Sequence, residues 1–181
     1  MTRALTVLLA FSLLLLARYA LGGDEPEPGL VCDFFNIGQE LSDFPDMKDQ
    51  KAAKTWIDKE VNVDAGDGAW PNTDLSDHFY FRWTGAIRIE KDGKYKFYTE
   101  SDDGSRLFID GKQVVDNGGL HGMEEQQGEV ELTAGDHELK IEFFENAGDA
   151  GCILSWQAEG IEKQVVPAEA LLHAADAELD K

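Results

Sequence analysis

Residues 78–90 read HFYFRWTGAIRIE, and this stretch decides the fold class. Phe79, Phe81 and Trp83 occupy every second position, and Ile87 and Ile89 continue the alternation after the glycine. In an extended chain, successive side chains point to opposite faces, so a period of two collects the apolar residues on one face. The stretch therefore predicts a long strand with one buried face.

Turn signals on the C-terminal side of this strand mark further short extended segments. They are Asp92-Gly93, Asp110-Gly111 and Ala134-Gly135-Asp136, and each lies between two runs rich in β-branched and aromatic residues. Such turns join adjacent antiparallel strands, so we interpret all three as hairpins.

The remaining elements complete an all-β pattern. Leu30–Phe35 and Gly151–Gln157 predict an early and a late strand, whereas 51–59 and 168–173 are compatible with short helical turns. Eight or more short strands without intervening long helices indicate an antiparallel β-sandwich, jelly-roll-like, with short helical turns.

The first 22 residues have the features of a secretory signal peptide. Arg3 precedes an apolar run from Ala4 to Ala17, and Ala20-Leu21-Gly22 supplies small residues for a cleavage site. A membrane anchor is the alternative, but the run is shorter than a bilayer span and Arg18 interrupts it. We expect a protein that is secreted or at the cell surface, or periplasmic in a bacterium.

The signal peptide is the first of four segments that we expect along the chain. We expect a signal peptide at 1–22, a flexible lead-in at 23–29, one β-sandwich domain at 30–173 and a frayed acidic tail at 174–181. The domain is long enough to bury a core of its own.

The chain is strongly acidic, with 36 Asp and Glu against 16 Lys and Arg and a net charge of −20. Such a charge repels nucleic acid and anionic lipid, so we expect neither nucleic-acid binding nor membrane insertion. It attracts cations, although solubility outside the cell accounts for most of these charges.

Cys32 and Cys152 are the two cysteines of the chain. In an exported protein an even number of cysteines is more often paired than free. A Cys32–Cys152 disulfide would close nearly the whole domain and stabilise it by roughly 4–5 kcal/mol.

The sequence contains no motif typical of catalysis. The four histidines lie outside any zinc-binding spacing, and Ser101 and Ser105 lie outside a nucleophile elbow. His137 alternates with Leu139 and is expected to face solvent. We therefore expect a protein that is not an enzyme and has no catalytic residues.

The segment Ser101-Asp102-Asp103-Gly104-Ser105 joins two predicted strands and presents adjacent carboxylates, which are ligands suited to Ca²⁺. Successive side chains of an extended chain diverge, so both can reach one ion only if the backbone bends sharply between them. From the residues alone, a polar turn with Asp as a local acceptor is the alternative. Glu145–Gly151 is a second polar loop whose carbonyls could face an ion. Trp70, in an acidic loop at 64–77, is expected to pack into the sandwich rather than to stack on a sugar.

The segment 77–171 resembles the protective-antigen fourteen-kilodalton domain family, a β-sandwich module found in anthrax toxin, bacterial glycosidases and yeast flocculins. The matching stretches are Phe81-Arg82-Trp83-Thr84-Gly85, Gly93-Lys94-Tyr95-Lys96-Phe97, 101–111, Val114-Val115-Asp116, 132–137, Phe143-Phe144-Glu145-Asn146, Leu154-Ser155-Trp156 and 166–171. Gly29-Leu30 is similar to the usual opening of the family.

The resemblance implies a particular Ca²⁺ site. In lectin-like members, two adjacent Asp joined by a cis peptide bind one Ca²⁺ that contacts sugar hydroxyls directly. Here that implies Asp102 and Asp103, with the side chain of Asn146 and the carbonyls of Gly148 and Ala150. The Asp102–Asp103 peptide is then expected to be cis, with Asn146 facing it.

The ligand contacts implied by the resemblance include Asp102, Asp103 and Asn146, and we add Asp149 from the second polar loop. The specificity insertion of the flocculins is not found, and the loop at 116–127 is its nearest substitute. From that loop we add Asn117 and His121 as ligand-contacting residues.

Two functions follow. The first is a secreted, lectin-like, Ca²⁺-dependent carbohydrate-binding module whose partners are glycans or glycoconjugates. The alternative is a structural or protein-interaction domain of the extracellular matrix or cell surface, in which the Asp loop only shapes a turn or holds a structural ion. A hydrolase is the least supported function, because the chain is essentially one module.

Overall fold

The computed structural model describes residues 25–177 and 179, so the predicted signal peptide lies outside the described residues. The strands are, in chain order, β1 (Glu27–Pro28), β2 (Leu30–Asn36), β3 (Lys54–Asp58), β4 (Asn62–Gly66), β5 (Phe79–Ile89), β6 (Gly93–Asp102), β7 (Ser105–Ile109), β8 (Lys112–Asn117), β9 (Glu124–Leu132), β10 (Gly135–Glu145), β11 (Ala150–Ala158), β12 (Ile161–Val165) and β13 (Leu171–His173). A 3₁₀ turn at Ala168–Ala170 precedes β13.

Within the described residues these strands form two antiparallel sheets, of eight and five strands. The larger sheet has the order β1-β13-β5-β10-β7-β8, and β2 pairs with both β5 and β3. The smaller sheet has the order β12-β11-β6-β9, and β4 pairs with β11. The predicted all-β antiparallel sandwich is therefore confirmed.

An aromatic cluster fills the space between the sheets. Trp70 is 2% exposed, and its ring centroid lies 5.0 Å from those of Phe81 and Phe143. Burial of several such rings supplies most of the driving force for closing the sandwich. Trp70 thus packs in the core, as expected, and offers no exposed platform for a sugar.

A second, smaller core lies on the outer face of the larger sheet, where the segment 37–52 covers Tyr80 and Phe144. Tyr80 is only 1% exposed, although the alternation in β5 places it on the face opposite to Phe79 and Phe81. The segment 37–52 therefore makes this part of β5 buried on both faces.

Two of the three predicted hairpins are wrong. β5 and β6 flank Asp92-Gly93 but lie in different sheets, and so do β9 and β10, which flank Ala134-Gly135-Asp136. These turns carry the chain across the sandwich, because each flanking strand has a better partner within its own sheet. The Asp110-Gly111 hairpin between β7 and β8 is confirmed, with φ of 50° and 74° as a tight two-residue turn requires.

Two local expectations also change. The segment predicted as a helical turn at 51–59 contains β3, because Lys54–Asp58 pairs with β2 and its Asp58 accepts hydrogen bonds from the indoles of Trp56 and Trp83. In the lead-in expected to be flexible, Glu27–Pro28 pairs with β13, which anchors the described part of that segment.

The predicted disulfide is not formed: Cys32 and Cys152 are free thiols, both fully buried. Cys32 lies in β2 of the larger sheet and Cys152 in β11 of the smaller sheet. Burial raises the pKa of both thiols, and the nearby Asp58 carboxylate raises that of Cys32 further. The even number of cysteines was the basis of the prediction, and it carries no information about side-chain geometry.

The expectation that His137 faces solvent also needs correction, because its ring contacts other residues. One ring nitrogen lies 2.7 Å from Asp110 Oδ2 and the other 2.9 Å from the carbonyl of Thr133. The ring therefore ties the β7–β8 turn to the start of β10.

Candidate cation and ligand site

The Asp pair lies where the chain passes from one sheet to the other. Asp102 ends β6 of the smaller sheet, and β7 of the larger sheet begins at Ser105, so Asp103 and Gly104 form the whole connection. The Asp102–Asp103 peptide bond is cis, as the resemblance implies.

Three carboxylates meet at this connection. Asp102, Asp103 and Glu145 each offer an oxygen, and these three oxygens lie within 4.8 Å of one another. Asp103 is 6% exposed and Glu145 fully buried, whereas Asp102 is partly open to solvent. Like charges this close repel strongly unless a cation or a proton compensates them.

Backbone N–H groups hold Asp103 in place. Its Oδ1 accepts from the N–H of His121 at 3.0 Å, and its Oδ2 accepts from the N–H of Asn146 at 2.9 Å. The carboxylate therefore links the loop after β8 to the end of β10. Hydrogen bonds to a charged acceptor are stronger than neutral ones, so this geometry is rigid.

Glu145 is the residue that the sequence analysis missed. Its Oε2 accepts the backbone N–H of Asp103 at 3.0 Å, whereas its Oε1 is buried and has no hydrogen-bond partner among the described residues. Burial, together with the charges of Asp103 and Asp102, raises the pKa of Glu145 to about 8. The available signal was that Glu145 continues the alternation of Leu139, Ile141 and Phe143 along the strand, which places its side chain on the buried face.

Asp102 is the carboxylate that faces outward. Burial, with Asp103 and Asp149 nearby, raises its pKa to about 6, and the His121 ring opposes this shift. Although burial lowers the pKa of His121, the carbonyls of Gly122 and Asn117 beside its ring raise it above the usual value overall. The site is thus a concentration of negative charge with one basic ring at its rim.

Gly104 is required by close packing in the connection. A Cβ at this position would lie 2.4 Å from Cε1 of Phe144 and 3.1 Å from the carbonyl oxygen of Gly119. Both contacts are shorter than van der Waals distance, so the connection fits only with glycine.

The segment after β10 contains three of the predicted ion ligands, and their contacts are mainly with other parts of the chain. Oδ1 of Asn146 accepts the backbone N–H of Leu41 at 2.9 Å, so this side chain is engaged with the segment 37–52. Gly148 donates its N–H to Asp77, and Ala150 begins β11 opposite Gly66.

The other predicted ligand-contacting residues are Asn117, which ends β8, and His121 in the loop that follows. Asn117 is 3% exposed, and its amide donates to the carbonyls of Thr99 and Glu124 and to Ser101. Its position is that of a support for the loop. His121 lies beside the Asp pair, and the loop also exposes the apolar side chains of Leu120 (53%) and Met123 (37%).

The family model for the PA14 domain matches residues 26–170. The anti-sigma-I factor RsgI3 of Acetivibrio thermocellus is 29% identical over 116 residues, which cover 64% of this chain and 18% of that protein. The chain therefore spans less than a fifth of this curated relative.

Solved structures share the fold. An anti-sigma factor domain-containing protein from Clostridium clariflavum superimposes with a TM-score of 0.71 at 28% identity, covering 86% of this chain and 50% of that one. A PA14 sugar-binding domain from an RTX adhesin superimposes with a TM-score of 0.69 at 21% identity, covering 81% and 99% of the two chains. The epithelial adhesin 6 A domain of Candida glabrata, solved with Galβ1-3GlcNAc, superimposes with a TM-score of 0.64 at 14% identity, covering 86% and 91%.

None of the described helical segments is long and apolar enough to cross a bilayer. The match over 26–170 extends from the start of β1 to the 3₁₀ turn and includes the Asp102–Asp103 connection. The chain belongs to the PA14 domain family.

Proposed function

We propose that this protein is a secreted or cell-surface, non-catalytic binding module that holds Ca²⁺ at the Asp102–Asp103 connection and binds carbohydrate there. The observation that carries the proposal is the meeting of three carboxylate oxygens within 4.8 Å, with Asp102 partly open to solvent. A divalent cation held by these oxygens would relieve their repulsion. The buried Oε1 of Glu145 has no hydrogen-bond partner among the described residues, so it is free to accept a further contact.

The donor set fits Ca²⁺ rather than a transition metal. The ligating side chains of the cluster are all carboxylates, and hard oxygen donors are the ones that Ca²⁺ prefers. Asp102 and Asp103 would hold the ion, and the carbonyls of Gly148 and Ala150 would add oxygens. When bound, Ca²⁺ supplies coordination positions that accept vicinal hydroxyls of a sugar.

Coordination of the ion by Asn146 depends on the second lone pair of its side-chain oxygen. Its Oδ1 already accepts the N–H of Leu41, but an amide oxygen can accept twice. Coordination by Asn146 would then connect the ion to the segment 37–52. His121 and Asp149 lie at the rim, where they would contact a bound sugar.

Two of the structural relatives support a carbohydrate ligand. The RTX adhesin domain is described as sugar-binding, and the Candida adhesin domain was solved with a disaccharide. Both share the fold of this chain at low identity, so they support the proposal without naming the sugar.

The alternative is a protein-interaction module, and two observations favour it. Leu120 and Met123 expose apolar surface beside the Asp pair, and the relatives with 28–29% identity are anti-sigma factors. In that case the ion would be structural, and the loop at 118–123 would contact a protein.

A glycan array with the full chain distinguishes the two functions. We expect binding to defined glycans in millimolar Ca²⁺, and loss of binding with a chelator or with Asp102→Asn. Glu131→Gln is the matched control, because it also removes one negative charge but lies at the far end of β9 from the site. Glycan binding that persists in chelator contradicts the role of Ca²⁺, and absence of glycan binding in Ca²⁺ contradicts the carbohydrate proposal.

A further inference from the structure

A second polar depression lies on the outer face of the larger sheet, and it shares no residue with the carboxylate cluster at the Asp102–Asp103 connection. It is a cleft of about 420 Å³ between the strands β5, β10 and β7 and the segment Phe44–Lys48. Glu142 of β10 pairs across the sheet with Arg82 of β5 on one side and with Arg106 of β7 on the other. Direct cross-strand neighbours share a face, so these three side chains form one row along the cleft floor.

The cleft is cationic on an acidic protein. Lys48, Arg82, Arg106 and Lys140 line it, against the acidic Asp46 and Glu142. Asp33, which pairs with Arg82 at 2.8 Å, still leaves the cations in the majority. The whole chain has 36 acidic and 16 basic residues, so the charge of the cleft is opposite in sign to the net charge of the chain.

Arg106 is held in a fixed orientation. Its guanidinium carbon lies 4.1 Å from the ring centroid of Phe44 and 5.5 Å from that of Phe108, and its Nε donates to Glu142. Stacking on an aromatic ring fixes the plane of the guanidinium group and leaves its terminal NH₂ groups at the edge of the ring. Among the described residues, no acceptor bonds these terminal groups.

Acceptors lie next to these donors. Burial raises the pKa of Glu142, but hydrogen bonds from Tyr80 and Arg106 outweigh this and hold it below the usual value, so the side chain is ionised. Nζ of Lys140 lies 3.3 Å from Oε1 of Glu142. The cleft thus offers guanidinium donors to an anionic group and carboxylate oxygens to hydroxyl groups, within the volume of a single small-molecule site.

We propose that this cleft binds the carboxylate-bearing ring of an acidic saccharide, a hexuronic acid residue. Its carboxylate would pair with Arg106, Arg82 and Lys140, and its hydroxyls would donate to Glu142 and Asp46. A small anion such as sulfate leaves the acceptors unused. An acidic peptide is disfavoured because it carries several negative charges, which the net charge of −20 on the chain repels.

The test is a titration of the full chain with sodium glucuronate, with glucose and sodium acetate as matched probes, by calorimetry or NMR in chelator. Chelator keeps the Asp102–Asp103 connection without a cation, so the result does not depend on the proposed Ca²⁺ function. We expect glucuronate to bind about tenfold or more tightly than either probe and to weaken as ionic strength rises.

Variants locate the site. Lys140→Gln and Arg106→Gln should weaken glucuronate binding by about threefold and tenfold, as expected for loss of charge-assisted bonds. Arg88→Gln, which removes a positive charge outside the cleft, should bind within about twofold of the unaltered chain. Lys140 is partly exposed, so its variant remains informative if Arg106→Gln does not fold.

Three results would overturn the proposal. The first is glucuronate binding no tighter than that of glucose or acetate. The second is an Lys140→Gln variant that binds as well as the unaltered chain. The third is an acidic peptide that displaces glucuronate at lower concentration, which would assign the cleft to a protein partner.

Discussion

The backbone N–H of Asp103 donates a hydrogen bond to Oε2 of Glu145 at 3.0 Å. This bond joins the end of β10 to the connection between the sheets and places a buried carboxylate directly against the Asp pair. Glu145 is therefore part of the site even though it has no access to solvent.

The stability of the cation-free protein should fall as pH rises. The pKa of Glu145 is raised from its ordinary 4.5 to about 8, so the folded chain holds a proton that the unfolded chain has lost across this range. The stabilisation is complete below pH 4.5 and is lost as pH rises through about 8. Asp102, with a pKa of about 6, acts in the same direction. We expect the free energy of unfolding to drop by about 2–5 kcal/mol between pH 5 and pH 8.5 in chelator, measured with urea.

Glu145→Gln is the control for this pH dependence. Glutamine keeps an acceptor for the Asp103 N–H but does not titrate. The variant should lose most of the pH dependence, and equal slopes for variant and unaltered chain would contradict the role given to Glu145. Carboxyls with lowered pKa, such as Glu142, titrate below this pH window.

Gly104→Ala should destabilise the fold by about 1–3 kcal/mol, because the added methyl overlaps the ring of Phe144 and the backbone of Gly119. Gly93→Ala is the matched control, since a Cβ at Gly93 meets nothing within 4 Å. Equal unfolding midpoints for the two variants would show that the connection is less tightly packed than described.

The thiols of Cys32 and Cys152 should react only when the protein unfolds. Both are fully buried and their pKa values are raised, so the native thiolate concentration is very low. Titration with a thiol reagent, without reductant, should detect almost no reaction in buffer and both thiols in denaturant. If no thiol reacts in denaturant, Cys32 and Cys152 form the predicted disulfide after all.

The period-two pattern of 78–90 predicts β5 correctly because alternation reports directly on a sheet with one buried face. The same reasoning assigns wrong partners around Asp92-Gly93 and Ala134-Gly135-Asp136. A turn signal shows that the chain reverses, but the choice between a hairpin and a crossing to the other sheet depends on packing of distant strands. Likewise, burial of Tyr80 depends on the segment 37–52, which has no regular pattern of its own.

The sequence predicts only part of the site, because some of its residues are brought together by the pairing of distant strands. The adjacent Asp102 and Asp103 are visible as a dipeptide, and the family resemblance adds the cis bond between them. Glu145 is 42 residues away along the chain, and only the antiparallel register of β10 brings it to the pair. The internal hydrogen bonds of Asn117 likewise cannot be read from a loop sequence.

The most direct test of the proposed cation site is a calorimetric Ca²⁺ titration of the full chain at pH 8, paired with thermal unfolding. We predict one saturable site and a higher Tm in millimolar Ca²⁺, with both effects lost in Asp102→Asn and kept in Glu131→Gln. A Tm that Ca²⁺ leaves unchanged, or an Asp102→Asn variant that binds Ca²⁺ like the unaltered chain, would contradict a cation site at the Asp102–Asp103 connection.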